Sequence, residues 1–478
     1  MPLSVTPAPQ APKGPDDFAA PMPDTRARLV LLTVCIAQFM APFMLTAIGV
    51  SLPALGRELG ANAVQLGLIE QLYVVSLAMG MLPFGRLGDL VGQKRVFLPG
   101  LALFTVMTTS LGLTQSVHMI MVQRFIQGIG ACMMLSGSLA LVAGAYPAAM
   151  RGRVIGIVSA FTYAGLSVGP VFGGLVTDHL GWRWVYLTAA PIGAAGVIAA
   201  LYGLRTPPRA DAGETMDWRG SLVYASAVAL FMLGSAHATA APWGPVMIAA
   251  GLVGGAAFLW LQGRTRHPLL AVSLLRSNRF FTFSSLAALG NYAATFGVTF
   301  SMSLYLQYVR GMSSRAAGMV LLISPVLQIF VAPMAGRLAD RFPLARLATT
   351  GMLCSGVGLL LMAAVLGPDT PLWMLAGLLA LMGVGFGIFI TPNSTAIMSS
   401  LPPRQYGLAS GMTAAMRTLG MAVSMTSVTL IFALILGEAV ITPDTAPAFL
   451  SSMRTALVVF AVYSCLGIVL SAFRGRKI

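Results

Sequence analysis

One acid and two bases fall inside long apolar runs of this sequence, and they are the side chains most able to do chemistry: Glu70, Arg124 and Arg417. A charge near a bilayer centre costs roughly 2.5–3.5 kcal/mol even on the lenient insertion scale, so such residues turn inward and take partners. Glu70 is placed about one turn into its run and Arg124 about two, counted from the same face, so the two can meet. On this reading Glu70 is a protonatable group that Arg124 keeps ionised until cargo or opening separates them. A static ion pair between helices is the alternative. Arg417, in Met416-Arg417-Thr418, is either an anion site in a cavity or a partner of backbone carbonyls.

The rest of the chemical inventory is thin. His118, His179, His237 and His267 are scattered singly, with no spacing for a metal cluster or a catalytic dyad. The lysines are Lys13, Lys94 and Lys477, none preceded by glycine, so there is no GxxxxGK[ST] phosphate loop. An enzyme and an ATP-driven pump are both excluded, and neither a metal nor a cofactor is expected. Cys35, Cys132, Cys354 and Cys465 lie in apolar runs without pairing pattern and read as small core residues.

The elements that position these residues must be membrane helices. Of the sequence 57% is hydrophobic and 9% charged, against roughly 25% charged in a soluble domain. The net charge of +15, from 29 Lys and Arg against 14 Asp and Glu, would suit a nucleic-acid partner in a soluble protein. Here it fits basic loops on the cytoplasmic side of a membrane, and no nucleic acid is expected. Windows of the length a span needs fill the chain from Leu29 to Phe473 and number about fourteen. An even count puts both termini on one side. Allocated alternately, 22 basic residues fall on that side and 5 opposite, with Arg124 and Arg417 inside spans to complete the 29, so the termini are cytoplasmic.

The chain also repeats. Gly85-Arg86-Leu87-Gly88-Asp89 recurs as Gly336-Arg337-Leu338-Ala339-Asp340, an offset of 251 from 85 to 336, and Arg153-x-x-Gly156-x-x-Ser159 recurs at the same offset from Arg404. A repeated half is the build of many secondary transporters, and it argues against a channel. The expected organisation is a disordered cytoplasmic tail (1–28), a six-helix bundle (29–204), a linker with two inserted helices (205–279), a second six-helix bundle (280–473) and a short cytoplasmic tail (474–478).

The loop after span 2, Gly85-Arg86-Leu87-Gly88-Asp89-Leu90-Val91-Gly92-Gln93-Lys94-Arg95, resembles the signature loop of the major facilitator superfamily, GxLaDrxGrkr. The glycines allow close helix approach. The resemblance implies a conformational latch made of Gly85, Gly88, Asp89, Gly92, Lys94 and Arg95, with Asp89 docked on the start of span 13 near Gly407. Gly165, Gly169, Pro170, Gly173 and Gly174 in span 5 look like the GxxxGPxxGG element associated with antiporters, a kinked small-residue face that blocks leakage. Arg124-Phe125-Ile126-Gln127-Gly128 resembles an element of proton-coupled relatives. Trp182-Arg183-Trp184, Asp217-Trp218-Arg219-Gly220, His267-Pro268-Leu269-Leu270, Tyr305-Leu306-Gln307-Tyr308 and Pro402 to Gly411 are similar to the fourteen-helix drug:proton antiporter branch.

The expected fold is therefore all-α, a major facilitator fold of two six-helix bundles plus two inserted helices. The implied function is proton-coupled export of small amphipathic molecules by alternating access from a bacterial cytoplasmic membrane. The expected partners are lipid, cargo and protons; the protein is taken as a monomer powered by the proton gradient. One departure favours a second reading. Met44 stands where the branch carries a span 1 Asp, and Gly49 replaces the usual Asn, so a metabolite carrier not coupled through a helix 1 carboxylate is the alternative. The candidate cavity residues are Gln38, Phe39, Met44, Tyr73, Tyr163, Asn291, Tyr305, Gln328, Asn393 and Arg417, a set suited to bulky amphipathic cargo.

Overall fold

The computed structural model describes residues 25–204, 215–238, 242–265, 268–270, 272–339, 341–401, 406–437, 439–442 and 444–474. Within them the chain is helical, without strands: α1 (Thr25–Leu59), α2 (Ala63–Val91), α3 (Gln93–Leu111), α4 (Val117–Ser136), α5 (Ser138–Ala145), α6 (Ala148–Leu180), α7 (Arg183–Gly203), α8 (Trp218–Ala236) and α9 (Gly244–Gln262) come first. Then follow α10 (Val272–Ser277), α11 (Arg279–Leu304), α12 (Ser314–Leu321), α13 (Ile323–Leu338), α14 (Leu344–Val365), α15 (Leu372–Ser399), α16 (Tyr406–Ile435) and α17 (Ala446–Ala472).

Taking α4 with α5 and α12 with α13, and setting aside the six-residue α10, the described helices make fourteen passes between a near end, where α1 begins and α17 finishes, and a far end. Among the described residues twelve helices are both long and apolar enough to cross a membrane. The other two, α3 and α11, have the length, at 19 and 26 residues. They fall short in composition, because α3 opens on Gln93-Lys94-Arg95 and α11 is threaded with Ser, Thr and Asn.

Helices α1 to α7 pack mainly on one another, as do α11 and α13 to α17, while α12 rests mainly on α6; α8 and α9 pair, and α8 also rests on α2 and α16. The α8–α9 hairpin is tied by Gln262, whose Nε2 donates to Asp217 Oδ2 at 2.7 Å and whose Oε1 accepts from the Leu269 amide at 2.6 Å. Asp217 Oδ1 also caps α8 by accepting from the Gly220 amide.

Three expectations need correcting. Helix α1 begins at Thr25, so residues 25–28 are helix and not tail; residues 1–24 lie outside the described residues. Arg474, assigned to the C-terminal tail, is 2% exposed and donates through Nη2 to Asn393 Oδ1. The stretch from Gly85 to Val91 is no loop but the last turns of α2, and the reversal is made at Gly92, where φ is +97° and a side chain would be strained.

Candidate functional site

The start of α2 fixes the depth of its acid. Asn62 and Gln65 form a reciprocal capping box, the Gln65 amide donating to Asn62 Oδ1 at 2.8 Å and the Asn62 amide to Gln65 Oε1 at 3.0 Å. Glu70 then stands seven residues into α2, as Arg124 stands seven residues into α4 from Val117. That is about two turns for each, one more than expected for Glu70. Glycine brings the two helices together: at Gly128 a Cβ would stand inside Ser76 Oγ and the Tyr73 carbonyl. The result is a buried ion pair, Arg124 Nη2 donating to Glu70 Oε2 at 3.0 Å, with the two side chains 0% and 3% exposed.

Arg124 is fully engaged. Its Nη1 donates to Gln127 Oε1 at 2.8 Å, its Nε to the Ile69 carbonyl at 3.3 Å, and its guanidinium lies 4.4 Å from the Tyr73 ring centroid. Gln127 Nε2 passes the chain on to Thr108 Oγ1 at 2.8 Å, which donates to the Phe104 carbonyl at 2.7 Å. Such a continuous network is the condition under which a buried charge is tolerated.

Glu70 reaches the wall of a central cavity of about 270 Å³ between the two halves. The lining residues follow helical stripes. In α1 they are Gln38, Ala41, Pro42, Leu45, Thr46 and Gly49, and in α11 Tyr292, Thr295, Phe296 and Thr299 recur at the same spacing. Of the expected cavity residues, Gln38, Tyr73, Tyr163, Gln328 and Arg417 line the space, as do Glu70 and Pro170.

Five do not. Phe39 and Met44 lie off the α1 stripe: Phe39 stacks on Phe43 with centroids 5.3 Å apart, and Met44 is fully buried in the core. Asn291 sits about 100° round the helix from the lining residue Tyr292, fully buried, with neither amide atom hydrogen-bonded. Tyr305 donates to the Gly367 carbonyl at 2.7 Å at the far end of the second half. Asn393 lies nearer the opposite end, donating to the Ser284 carbonyl at 3.2 Å. The reading missed Tyr292, Phe296, Phe300 and Phe386, and the signal for them was present. Moved by the 251 offset from 85 to 336, they fall on Ala41, Leu45, Gly49 and Leu135, which line the other half of the same cavity.

At the far end the halves are joined. Ser303 Oγ donates to the Gly49 carbonyl at 2.7 Å, Gln307 Nε2 to Val50 O at 2.8 Å, and Tyr308 OH to Pro53 O at 3.2 Å, so Tyr305-Leu306-Gln307-Tyr308 is a sealing motif. The Asp178 carboxylate caps α12 from the other half, accepting from the amides of Ser314 at 3.0 Å and Arg315 at 2.8 Å. The span 5 element supplies the close approach: a Cβ on Gly173 would meet the Ala47 carbonyl at 2.6 Å, and Gly165 and Gly169 face Phe39 and Thr46 as tightly. Gly174 lies against the Ser314 carbonyl, and Gly318 of α12 against Pro170.

At the near end Asp89 Oδ1 accepts from Gln93 Nε2 at 2.8 Å, Lys94 Nζ donates to the Leu204 carbonyl at 2.6 Å, and Arg95 Nη1 to Val91 O at 3.2 Å. The space beside Gly88 is filled by the side chain of Gln93 at the start of α3, while Gly85 makes only ordinary contact, 3.8 Å to Ser136. The docking partner expected for Asp89 involves residues 402–405, Tyr406 to Leu408 and Ser410, whose positions or side chains lie outside the described residues, as do Asp340, Arg404 and His267.

Comparison with known proteins places this arrangement. The riboflavin transporter RibZ of Clostridioides difficile is 28% identical over 397 residues, 82% of this chain and 86% of that protein. The tetracenomycin C resistance and export protein of Streptomyces glaucescens is 29% identical over 386 residues, 80% of this chain and 71% of that protein. Among solved structures, a bacterial homologue of the human lysosomal transporter Spinster, in an inward-facing and unoccupied conformation, superposes with a TM-score of 0.67 at 17% identity, covering 94% of this chain and 97% of that one. The family pattern of the Major Facilitator Superfamily matches residues 34–425, the stretch that holds every cavity-lining residue, and the chain belongs to that superfamily of membrane transporters.

Proposed function

We propose that this transporter exports small amphipathic molecules from the bacterial cytoplasm in exchange for protons. It does so as a monomer with both termini cytoplasmic, by alternating exposure of the central cavity. The observation that carries the reading is Glu70, which touches the cavity on one side and Arg124 on the other. A carboxylate so placed takes a proton when the pair parts and returns it when the pair re-forms, which links the cavity's occupancy to proton traffic. The far-end seal of Asp178, Gln307 and Tyr308 supports a state closed on that side. Asp89 is the carboxylate that, by family resemblance, latches the near end in the opposite state. The resistance and export relative favours outward cargo movement.

A second reading has its own support. Met44 stands where the branch carries an acid and is buried away from the cavity, so α1 brings no carboxylate to the cavity wall, and a relative is named a riboflavin transporter, which suits a metabolite carrier. Everted membrane vesicles energised to an acidic lumen and incubated with a panel of aromatic antibiotics and riboflavin separate the two. Proton-coupled export gives accumulation that collapses with nigericin, and Glu70→Gln retains downhill flux while losing uphill accumulation. Accumulation unaffected by nigericin, or unchanged in Glu70→Gln, removes proton coupling through this site.

A further inference from the structure

The cavity holds one charge that the mechanism above does not use. Arg417 lines it from α16, eleven residues in from Tyr406 on a helix that ends at Ile435, which places it in the membrane interior. Its guanidinium has no hydrogen bond or ion pair with any described residue, and it is only partly buried, in clear distinction to Arg124. Among the described lining residues Glu70 and Arg417 are the only carboxylate and the only guanidinium. Since Glu70 is neutralised by Arg124, the space carries one net positive charge. An unpartnered cation at this depth is costly unless something periodically pairs with it.

The surroundings define that partner's shape. Tyr163 from one half and Tyr292 from the other both lie close enough for the Arg417 charge to act on them. Tyr292 meets Phe386 edge to face at 5.4 Å, and Phe296 and Phe300 extend the ring-lined wall. A planar guanidinium among ring faces recognises a flat anion, through paired hydrogen bonds to the charged end and stacking on the rest.

We infer that the cargo is a planar aromatic molecule bearing one delocalised negative charge, a carboxylate or equivalent acid, and that Arg417 is its recognition residue. This rests on the transport reading above but concerns binding alone, so its test needs no gradient. Purified protein in detergent is titrated with 2-naphthoate, 2-naphthalenemethanol and 2-naphthylmethylammonium, and binding is followed by thermal shift and equilibrium dialysis. The anion is expected to bind about tenfold more tightly than the alcohol, as one charge-assisted contact implies, and the cation least of all. Arg417→Gln should equalise anion and alcohol while still binding the alcohol, which shows the site intact, and Arg417→Lys should restore part of the preference. Equal or tighter binding of the cation overturns the inference. So does an anion preference that survives in Arg417→Gln, or a wild-type protein that binds none of the three. Loss of proton coupling in vesicles with the anion preference intact would instead strike the exchange mechanism and leave this assignment standing.

Discussion

Where α1 and α4 present Ala41, Leu45, Gly49 and Leu135 to the cavity, α11 and α15 present Tyr292, Phe296, Phe300 and Phe386 at the matching positions of the repeat. The same offset, 251 from 85 to 336, pairs Glu70 with Leu321 and Leu166 with Arg417, all four of them on the wall. The second half thus brings four rings to the wall together with an unpartnered base, while the first brings two, Tyr73 and Tyr163, with a neutralised acid and a mainly aliphatic surface. Two copies of one scaffold have kept the same inward positions and divided the work among them. The first half holds a buried ion pair whose charges are satisfied within it, and the second offers ring faces and an unpaired charge to the cavity, the arrangement on which the proposed exchange and cargo recognition rest.

The sharpest way to break this contrast is to remove each arginine. Arg124→Leu leaves Glu70 buried without its partner and takes away three hydrogen bonds and a ring contact, so about 3–5 kcal/mol of stability should be lost. Arg417→Leu removes a membrane-buried cation with no described partner and should leave stability unchanged or slightly higher. Thermal unfolding of both variants in the same detergent reads the difference directly. Equal destabilisation would mean that Arg417 is a structural residue and that the two halves do not differ as described.

A second test acts where the halves meet. At the far end Gly318 of α12 has the Pro170 carbonyl where a Cβ would stand, so Gly318→Val must push α12 off α6. The expected outcome is a several-fold rise in labelling of a Thr46→Cys reporter by a membrane-impermeant maleimide added from the far side. Gly411, with nothing within 4 Å of its Cβ position, provides the control, and Gly411→Ala should leave labelling unchanged. Labelling that rises equally in both would show that the described seal is not what closes that side.

Much of this was legible in the residues and some was not, for one physical reason. Long apolar runs announce helices, and the motifs at Gly85 and Gly336 gave an offset that carries one cavity wall onto the other. Glu70 and Arg124 were found because a charge in an apolar run has few places to go. Helical phase was harder to read. A membrane helix is apolar on its lipid face and its buried face alike, so polarity does not say which way Phe39, Met44 or Asn291 turns. The α1 stripe from Gln38 to Gly49 is visible only once the cavity is known. Asn291 and Tyr292 are neighbours, and nothing in the apolar run around them says which of the two turns to the cavity. Asp178 was missed because its role depends on an amide pair in the other half, 136 residues away. The glycines from Gly165 to Gly174, which the resemblance singled out, lie against α1 and α12.

The smallest expected effect discriminates most finely between the two walls. Phe386→Leu removes one ring from the aromatic side while keeping its volume apolar, and the edge-to-face contact with Tyr292 goes with it. A ring stacked on the cargo is worth about 0.5–1.5 kcal/mol, so naphthoate affinity should fall about two- to tenfold, while loss of the Tyr292 contact lowers stability by a similarly small amount. At the repeat-related position, Leu135→Met alters a wall that offers aliphatic surface, and affinity should move by less than twofold. Equilibrium dialysis of the two variants side by side tells whether ring faces on the second half hold the cargo. If Leu135→Met cost as much as Phe386→Leu, the cavity would be gripping its cargo by general apolar contact, and the division of labour between the halves would reduce to the placement of two charges.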